Sequence, residues 1–421
     1  MNETMSSVAP PRVECERAAV ATLAAMPSMG DRQRVGNVMA DVSGVVLAGT
    51  HPWGGCDLEL VVPRALVPLA NRPLLTHVLS WLGDGGVERA TVCGNRYTDP
   101  VRCRLMSADG GGVTAGLDVH YYEDMAPRGP AGCVRDAGMV SDATTLVVVD
   151  GSLVPQVALE SLVETHRRTE ADVTVVVSRD ARGNGVNGDG LSPVGVYVFE
   201  RRVIDHIPHQ GYQDIKEGLI PLLYRKGMAI LPFQANGSVP RVTNVDSYLA
   251  VNAWLLRSMW RDRRGGAGFG GEGYRTVGDA GVHRESSIDS TARLSGPILI
   301  DKGARIGRGV TIIGPTSVGE DCRIADGAVI CRSVVWDHCS IGAKAVLDRC
   351  ILTSGSCVSE NTAFRYVVFS EQKKHEGGHK RLSALGPGSW GPTGGLKGNA
   401  APLSSGIARN GRATSRLAAE R

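Results

Sequence analysis

Few residues of this chain stand where chemistry could be done, and they gather in three stretches. An apolar run at residues 44–48 ends in Ala48 and Gly49, and the cation Arg64 follows in Pro63-Arg64-Ala65-Leu66-Val67-Pro68. Residues 123–132, Glu-Asp-Met-Ala-Pro-Arg-Gly-Pro-Ala-Gly, are rich in small side chains. Gly129, Ala131 and Gly132 there leave the backbone open to close approach. A second apolar run, 145–149, ends at Asp150, a carboxylate suited to capping a turn. His51 is a lone loop histidine, and such residues are usually just exposed.

The elements that must hold these residues alternate. Strand-like runs at 44–48, 89–93, 117–122, 145–149, 172–177 and 194–199 are interleaved with helix-like stretches at 73–82 and 157–169. Further helical stretches lie at 201–207, 215–226 and 247–259. This order predicts an α/β domain with a mainly parallel, Rossmann-like sheet. A different period then takes over. Ile288, Leu294, Ile300, Ile306, Ile312, Val318, Ile324 and Ile330 stand six apart, and after a slip of one the pattern resumes at Val335, Ile341 and Leu347. Helices repeat near 3.6 and strands at 2, so a hexad predicts a parallel β-helix with one inward residue per short face. Gly307, Gly319 and Gly342 each follow an inward residue, where the chain turns a corner.

Composition narrows the function classes. The net charge is +3, with nine Lys or Arg against three Glu from Glu371 onward, so a mildly acidic body carries a basic tail. That balance does not describe a dedicated nucleic-acid binder. Ten cysteines include no C-x-x-C pair, which removes a zinc or thioredoxin-like motif and points to a reducing, cytoplasmic compartment. No apolar stretch is long enough to span a membrane. Acyl transfer on the β-helix would need a histidine base between coils and a sheltering loop. Only His283 and His338 lie in or near the coil, and no long insertion interrupts the hexads.

Together, Val45-Val46-Leu47-Ala48-Gly49, residues 63–68 with Asn71-Arg72-Pro73-Leu74-Leu75, the 123–132 segment and Val334-Val335-Trp336-Asp337 resemble the sugar-1-phosphate nucleotidyltransferases. The likeness is greatest to mannose-1-phosphate guanylyltransferases with a C-terminal left-handed β-helix. It covers roughly residues 43–369. It implies that Arg64 reaches phosphate, and that Ala48, Gly49, Gly129, Ala131 and Gly132 hold the nucleotide. It further implies that Asp150 stands near a Mg²⁺ site and that the substrates are a nucleotide and a sugar phosphate.

The resemblance is poorest where the family does its chemistry. The family's G-x-G-T-R-L-R-P loop is replaced by residues 50–57, which hold no Arg or Lys. Its N-G-D aspartate falls on Gly151, with Asp150 one residue early, and its second metal aspartate falls on Arg241. An F-V-E-K-P segment is absent from 178–193, where Arg179 and Arg182 are the only basic residues. Phosphoryl transfer depends on positioning and on neutralising phosphate charge, so these changes predict weak or absent catalysis. With no substitute cations or carboxylates evident nearby, the alternative is a non-catalytic regulatory or scaffold subunit that still binds nucleotide. Association as a homo-oligomer or with an active paralogue is expected, because a β-helix ends in an open strand edge. The expected domains are a flexible extension (1–42), a nucleotidyltransferase-like α/β domain (43–260), a linker (261–285), a left-handed β-helix (286–370) and a disordered basic tail (371–421).

Overall fold

The computed structural model describes residues 39, 41–49, 58, 61–107, 116–126, 128–179, 191–235, 237, 239–262 and 273–370. Almost all of the 1–42 extension, the loop 50–57 with His51, most of the 178–193 segment and the tail from Glu371 lie outside the described residues.

The N-terminal half is built on a seven-stranded sheet. In chain order its strands are β1 (Val42–Leu47), β4 (Arg89–Asn95), β5 (Asp118–Asp124), β6 (Thr145–Asp150), β7 (Val173–Arg179), β8 (Leu191–Glu200) and β9 (Ile230–Gln234). A two-stranded hairpin, β2 (Pro68–Leu69) and β3 (Arg72–Pro73), lies outside it. The spatial order is β5-β4-β1-β6-β8-β7-β9, parallel except for β8, which runs against both β6 and β7. Both faces are covered, so the central strands read as unbroken apolar runs. Val45 and Val148 face one core cluster, while Val46 and Val147 face the other. The helix Leu74–Asp84 begins directly after Pro73 and buries Leu74, Leu75, Val78, Leu79 and Leu82.

Five elements differ from the sequence reading. Residues 123–132 are not a loop throughout, because a helix Gly129–Val140 starts inside them with proline in its first turn. The helix Asp99–Met106 and strand β9 had no clear periodicity; that helix buries only Val101. Within the stretch read as a linker, Tyr274–Val277 and Ala280–His283 form an antiparallel pair, and the second strand runs parallel to Ile298–Ile300 as the first rung of the coil.

Parallel strands from residue 280 to residue 369 stack into the three sheets of a β-helix. Arg305 pairs with Arg323 eighteen residues on, which is three hexads, but Arg323 pairs with Ser340 only seventeen on. The one-residue slip therefore recurs in each later coil rather than occurring once: Leu347 is followed inward by Leu352, and Phe364 by Phe369. Cys322, Cys339 and Cys350 are buried among the inward aliphatics.

The corner glycines have a more specific cause than backbone freedom. A Cβ on Gly319 would lie 2.8 Å from the backbone nitrogen of Asp337, and one on Gly342 would lie 2.5 Å from that of Glu360. The next coil occupies the space a side chain would need.

One face of the coil differs from the other two. Its outward residues Leu299, Ser317, Val334 and Ile351 are buried, whereas Arg305, Arg323 and Ser340 on a second face are exposed. Val334, Trp336 and Ile351 pack with Val67, Leu69, Tyr248 and Val251, and Leu299 packs with Leu256, so this face docks on the α/β domain.

Candidate functional site: a cleft at the sheet's carboxyl edge

Strand order reverses between β1 and β6, and at such a switch point the loops leaving the two strands diverge and leave a crevice. A cleft of about 510 Å³ opens there. It is lined by the ends of β1 (Leu47, Ala48, Gly49), β4 (Cys93, Gly94, Asn95) and β6 (Asp150, Gly151, Ser152), with Asp124, Gly129, Tyr197, Tyr212, Asp214 and the cations Arg64, Lys216 and Arg241.

Five of the expected site residues meet in this cleft: Ala48, Gly49, Arg64, Gly129 and Asp150. The amides of Ala48 and Gly49 both donate to the Cys93 carbonyl, at 2.8 and 3.0 Å. What these residues offer a ligand is therefore room rather than free N–H groups. Arg64 opens a short 3₁₀ turn, Arg64–Leu66, immediately before the β2–β3 hairpin. Ala131 and Gly132 do not line the cleft. The helix starting at Gly129 turns them inward, where Ala131 is fully buried and its N–H donates to the Gln213 carbonyl at 3.1 Å.

Gly129 itself is tightly specified. Its φ is +79°, and a Cβ would sit 2.6 Å from the Gln213 carbonyl oxygen and 2.9 Å from the Tyr212 ring. A polar network fixes this corner. The Tyr122 hydroxyl donates to Asp136 at 2.5 Å, Arg128 pairs with Asp136 at 2.6 Å, and Asp124 accepts the Arg128 N–H at 3.0 Å. Tyr212 leaves 55% of its surface open beside Gly129 at the cleft wall.

The floor is an ion pair. Residues 239–242 run alongside 152–154: the Val154 N–H donates to the Pro240 carbonyl (2.9 Å), and the Val242 N–H to that of Ser152 (2.8 Å). This pairing brings Arg241 over the end of β6. Its Nη1 lies 2.5 Å from Asp150 Oδ2 and 3.1 Å from Ser152 Oγ, and its Nη2 donates to the Val194 carbonyl at 2.5 Å. The other Asp150 oxygen accepts the Ser152 N–H at 2.9 Å. Burial alone would raise the Asp150 pKa. The Arg241 guanidinium and the Ser152 hydrogen bonds outweigh it and hold the carboxyl below the usual range. Space for the guanidinium is left by Gly195, with φ +90°, where a Cβ would stand 2.6 Å from Nη2.

Sequence reasoning missed two of the three cations. Arg241 was read only as a lost carboxylate, and Lys216 was not considered, so the expectation of no substitute cation nearby is corrected. Lys216 sits in a π-type turn, Ile215–Leu219, with Nζ 3.4 Å from the Pro193 carbonyl. Burial of its ammonium, then the nearby Arg241 charge, lowers its pKa, against the attraction of Asp150 and Asp214.

Among the described residues, the carboxylates of the cleft do not make a divalent-metal site. Asp150 is committed to Arg241 and Ser152, and Asp214 caps the Glu217 N–H at 2.8 Å. Asp124 accepts the Arg128 N–H with one oxygen, while the other is buried 3.6 Å from the Arg128 guanidinium without a hydrogen bond. Among the described residues no group of three His, Cys, Asp or Glu is arranged to hold a metal ion.

A separate depression of about 390 Å³ lies on the flank of the coil around Arg305, Arg323 and His338. His338 Nδ1 is 3.8 Å from Asp321, and both side chains are well exposed. No described helix is long and apolar enough to cross a membrane.

Comparison with known proteins matches both halves. Residues 45–229 match the MobA-like NTP transferase domain, and residues 294–373 match the GMPPB C-terminal domain. A mannose-1-phosphate guanylyltransferase of Mycobacterium tuberculosis is 27% identical, over 73% of this chain and 83% of its own length. A UTP–glucose-1-phosphate uridylyltransferase of Synechocystis sp. is 24% identical, over 72% and 84%. A probable mannose-1-phosphate guanylyltransferase 3 of Oryza sativa subsp. japonica is 22% identical, over 76% and 88%.

Proposed function

We propose, from the premise that the chain belongs to the sugar-1-phosphate nucleotidyltransferase family, that its cleft binds a nucleotide and a sugar phosphate, or their joined product, and transfers poorly or not at all. The observation that carries this reading is the Asp150–Arg241 pair at 2.5 Å. Mg²⁺, which the family resemblance implies, needs oxygen ligands in octahedral array, and here an arginine holds Asp150, the carboxylate at the end of β6. The exposed Tyr212 ring beside Gly129 supports retained base binding, since such a ring offers a stacking face.

Purified protein given Mg²⁺, GTP or UTP and a panel of sugar 1-phosphates is expected to release pyrophosphate at the rate of a buffer control. Robust turnover with any pair overturns the reading. A second reading, retained transferase activity, is favoured by Lys216, which returns a cation to a cleft that has lost its loop arginine. The same assay decides between them.

We also propose a regulatory or scaffold role in the cytoplasm, as a homo-oligomer or with an active paralogue. The end of the coil supports association. Val368–Phe369 is the last strand of its sheet, and Tyr366 beside it is 57% exposed. A monomeric mass in light scattering, alone and mixed with a candidate paralogue, would count against it.

A further inference from the structure

We infer that the cleft binds the diphosphate of a nucleotide, or of a nucleotide sugar, without a divalent metal, with Lys216 and Arg241 supplying the neutralising charge. This rests on the reading above that the cleft is a nucleotide site.

A nucleoside diphosphate carries two to three negative charges near neutral pH, and an active site must balance them with a metal ion, with side chains or with both. Among the described residues the carboxylates of this cleft each face a partner already, and no three of them are arranged to hold a metal ion. Asp150 faces Arg241, and Asp214 the Glu217 N–H. Asp124 faces the Arg128 N–H through one oxygen and the Arg128 guanidinium, 3.6 Å away, through the other. The cations remain available. Lys216 Nζ has one carbonyl neighbour, at 3.4 Å, so most of its donor capacity points elsewhere. Arg241 uses Nη1 on Asp150 and Ser152 and one Nη2 hydrogen on Val194. Among the described residues no acceptor meets its Nε–H.

The position of Arg241 is built rather than incidental. The 152–154 pairing delivers it, the Asp150 carboxylate orients it, and Gly195 leaves the space for it. An arginine held this way presents its remaining donors in a fixed fork, which suits phosphate oxygens.

Isothermal titration with GDP, UDP, GDP-mannose and UDP-glucose, each in EDTA and in MgCl₂, tests the inference. The expected result is the same dissociation constant with and without metal for whichever nucleotide binds. Lys216→Met and Gly195→Ala should each weaken binding by about tenfold or more, equivalent to about 1.4 kcal/mol. The alanine acts by displacing the Arg241 guanidinium. Circular dichroism and thermal melts confirm that both variants fold, and the lysine variant, which adds no atom that needs new space, keeps the test open if the glycine variant does not. Binding seen only with MgCl₂, or unchanged in Lys216→Met, overturns the inference and leaves the nucleotide site standing. Absence of binding in both buffers overturns the nucleotide site and the inference with it.

Discussion

The indole N–H of Trp336, in the coil, donates to the Tyr248 hydroxyl at 2.9 Å, and that hydroxyl donates to the Pro68 carbonyl at 2.6 Å. Pro68 follows the short turn that carries Arg64, so a side chain of the β-helix supports the segment that brings a cation to the cleft. Two further bonds hold the same hairpin. The Ala70 N–H donates to Asn252 Oδ1 at 2.8 Å, and Asn71 Nδ2 donates to the Val318 carbonyl at 2.9 Å. Ala70 and Asn71 have φ of +45° and +62°, a tight turn kept in place by these contacts.

Tyr248→Phe removes one oxygen and leaves the Trp336 N–H and the Pro68 carbonyl without it in a buried setting. Stability in urea should fall by about 1–3 kcal/mol. Nucleotide affinity should fall as well, because the Arg64 segment loses its anchor. A loss of stability with unchanged affinity would show that the anchor does not reach the cleft.

Arg241→Asp replaces the ion pair with two facing carboxylates. Asp150 and Arg241 keep 35% and 29% of their side chains exposed, so the pair is only partly screened. Losing the attraction and adding a like charge should together cost about 1–3 kcal/mol. MgCl₂ or MnCl₂ should then raise the melting temperature of the variant and leave that of the parent unchanged. Adding Gly151→Asp is expected to lower stability further, because a Cβ there comes within 3.0 Å of the Leu47 carbonyl oxygen. Melting curves across a metal titration check all three outcomes.

Lys216 sets a pH dependence whose sign follows from its lowered pKa. Phosphate binds the protonated form, so affinity should hold at neutral pH and decline as pH rises through a value below the ordinary lysine range. An arginine there remains charged, and Lys216→Arg should flatten the profile. The same shift makes the charged lysine mildly unfavourable to folding at neutral pH, a penalty that fades as pH rises past the folded pKa toward 10.5. Titration calorimetry over a pH series reads the first effect, and melts of Lys216→Met the second.

Gly319→Ala forces a methyl against the Asp337 nitrogen and the Trp336 carbonyl carbon, both 2.8 Å from the new atom. Overpacking of this kind should cost about 1–3 kcal/mol. Gly309, with φ +62° and nothing within 4 Å of a Cβ, should lose about 1 kcal/mol or less on the same change, from backbone strain alone. Equal losses at the two sites would mean that the next coil does not crowd the corner.

The coil was legible because its period is local: each inward residue declares itself against neighbours five or six positions away. Its docked face was not read from the sequence, although the outward residues there differ in kind. The residue before each inward position is Leu299, Val334 or Ile351 on that face and Arg305, Arg323 or Ser340 on another. The cleft was legible in part. Gly49, Arg64, Gly129 and Asp150 sit at strand ends and turns that short motifs mark. Arg241 acts on a residue 91 positions away through pairing with 152–154, and no local pattern announces that. Lys216 lay in a stretch readable only as helical. Ala131 and Gly132 were misplaced because a loop of small residues and a helix beginning at glycine and proline share one composition.

The buried face of the coil limits how this chain can be divided. A coil expressed alone would present Leu299, Val334, Trp336 and Ile351 to water in one continuous stripe, which promotes self-association. An α/β domain expressed alone would lose the partner of Tyr248. Gene fusions or exchanges that cut near residue 273 therefore inherit a sticky surface on one side and a loosened hairpin on the other.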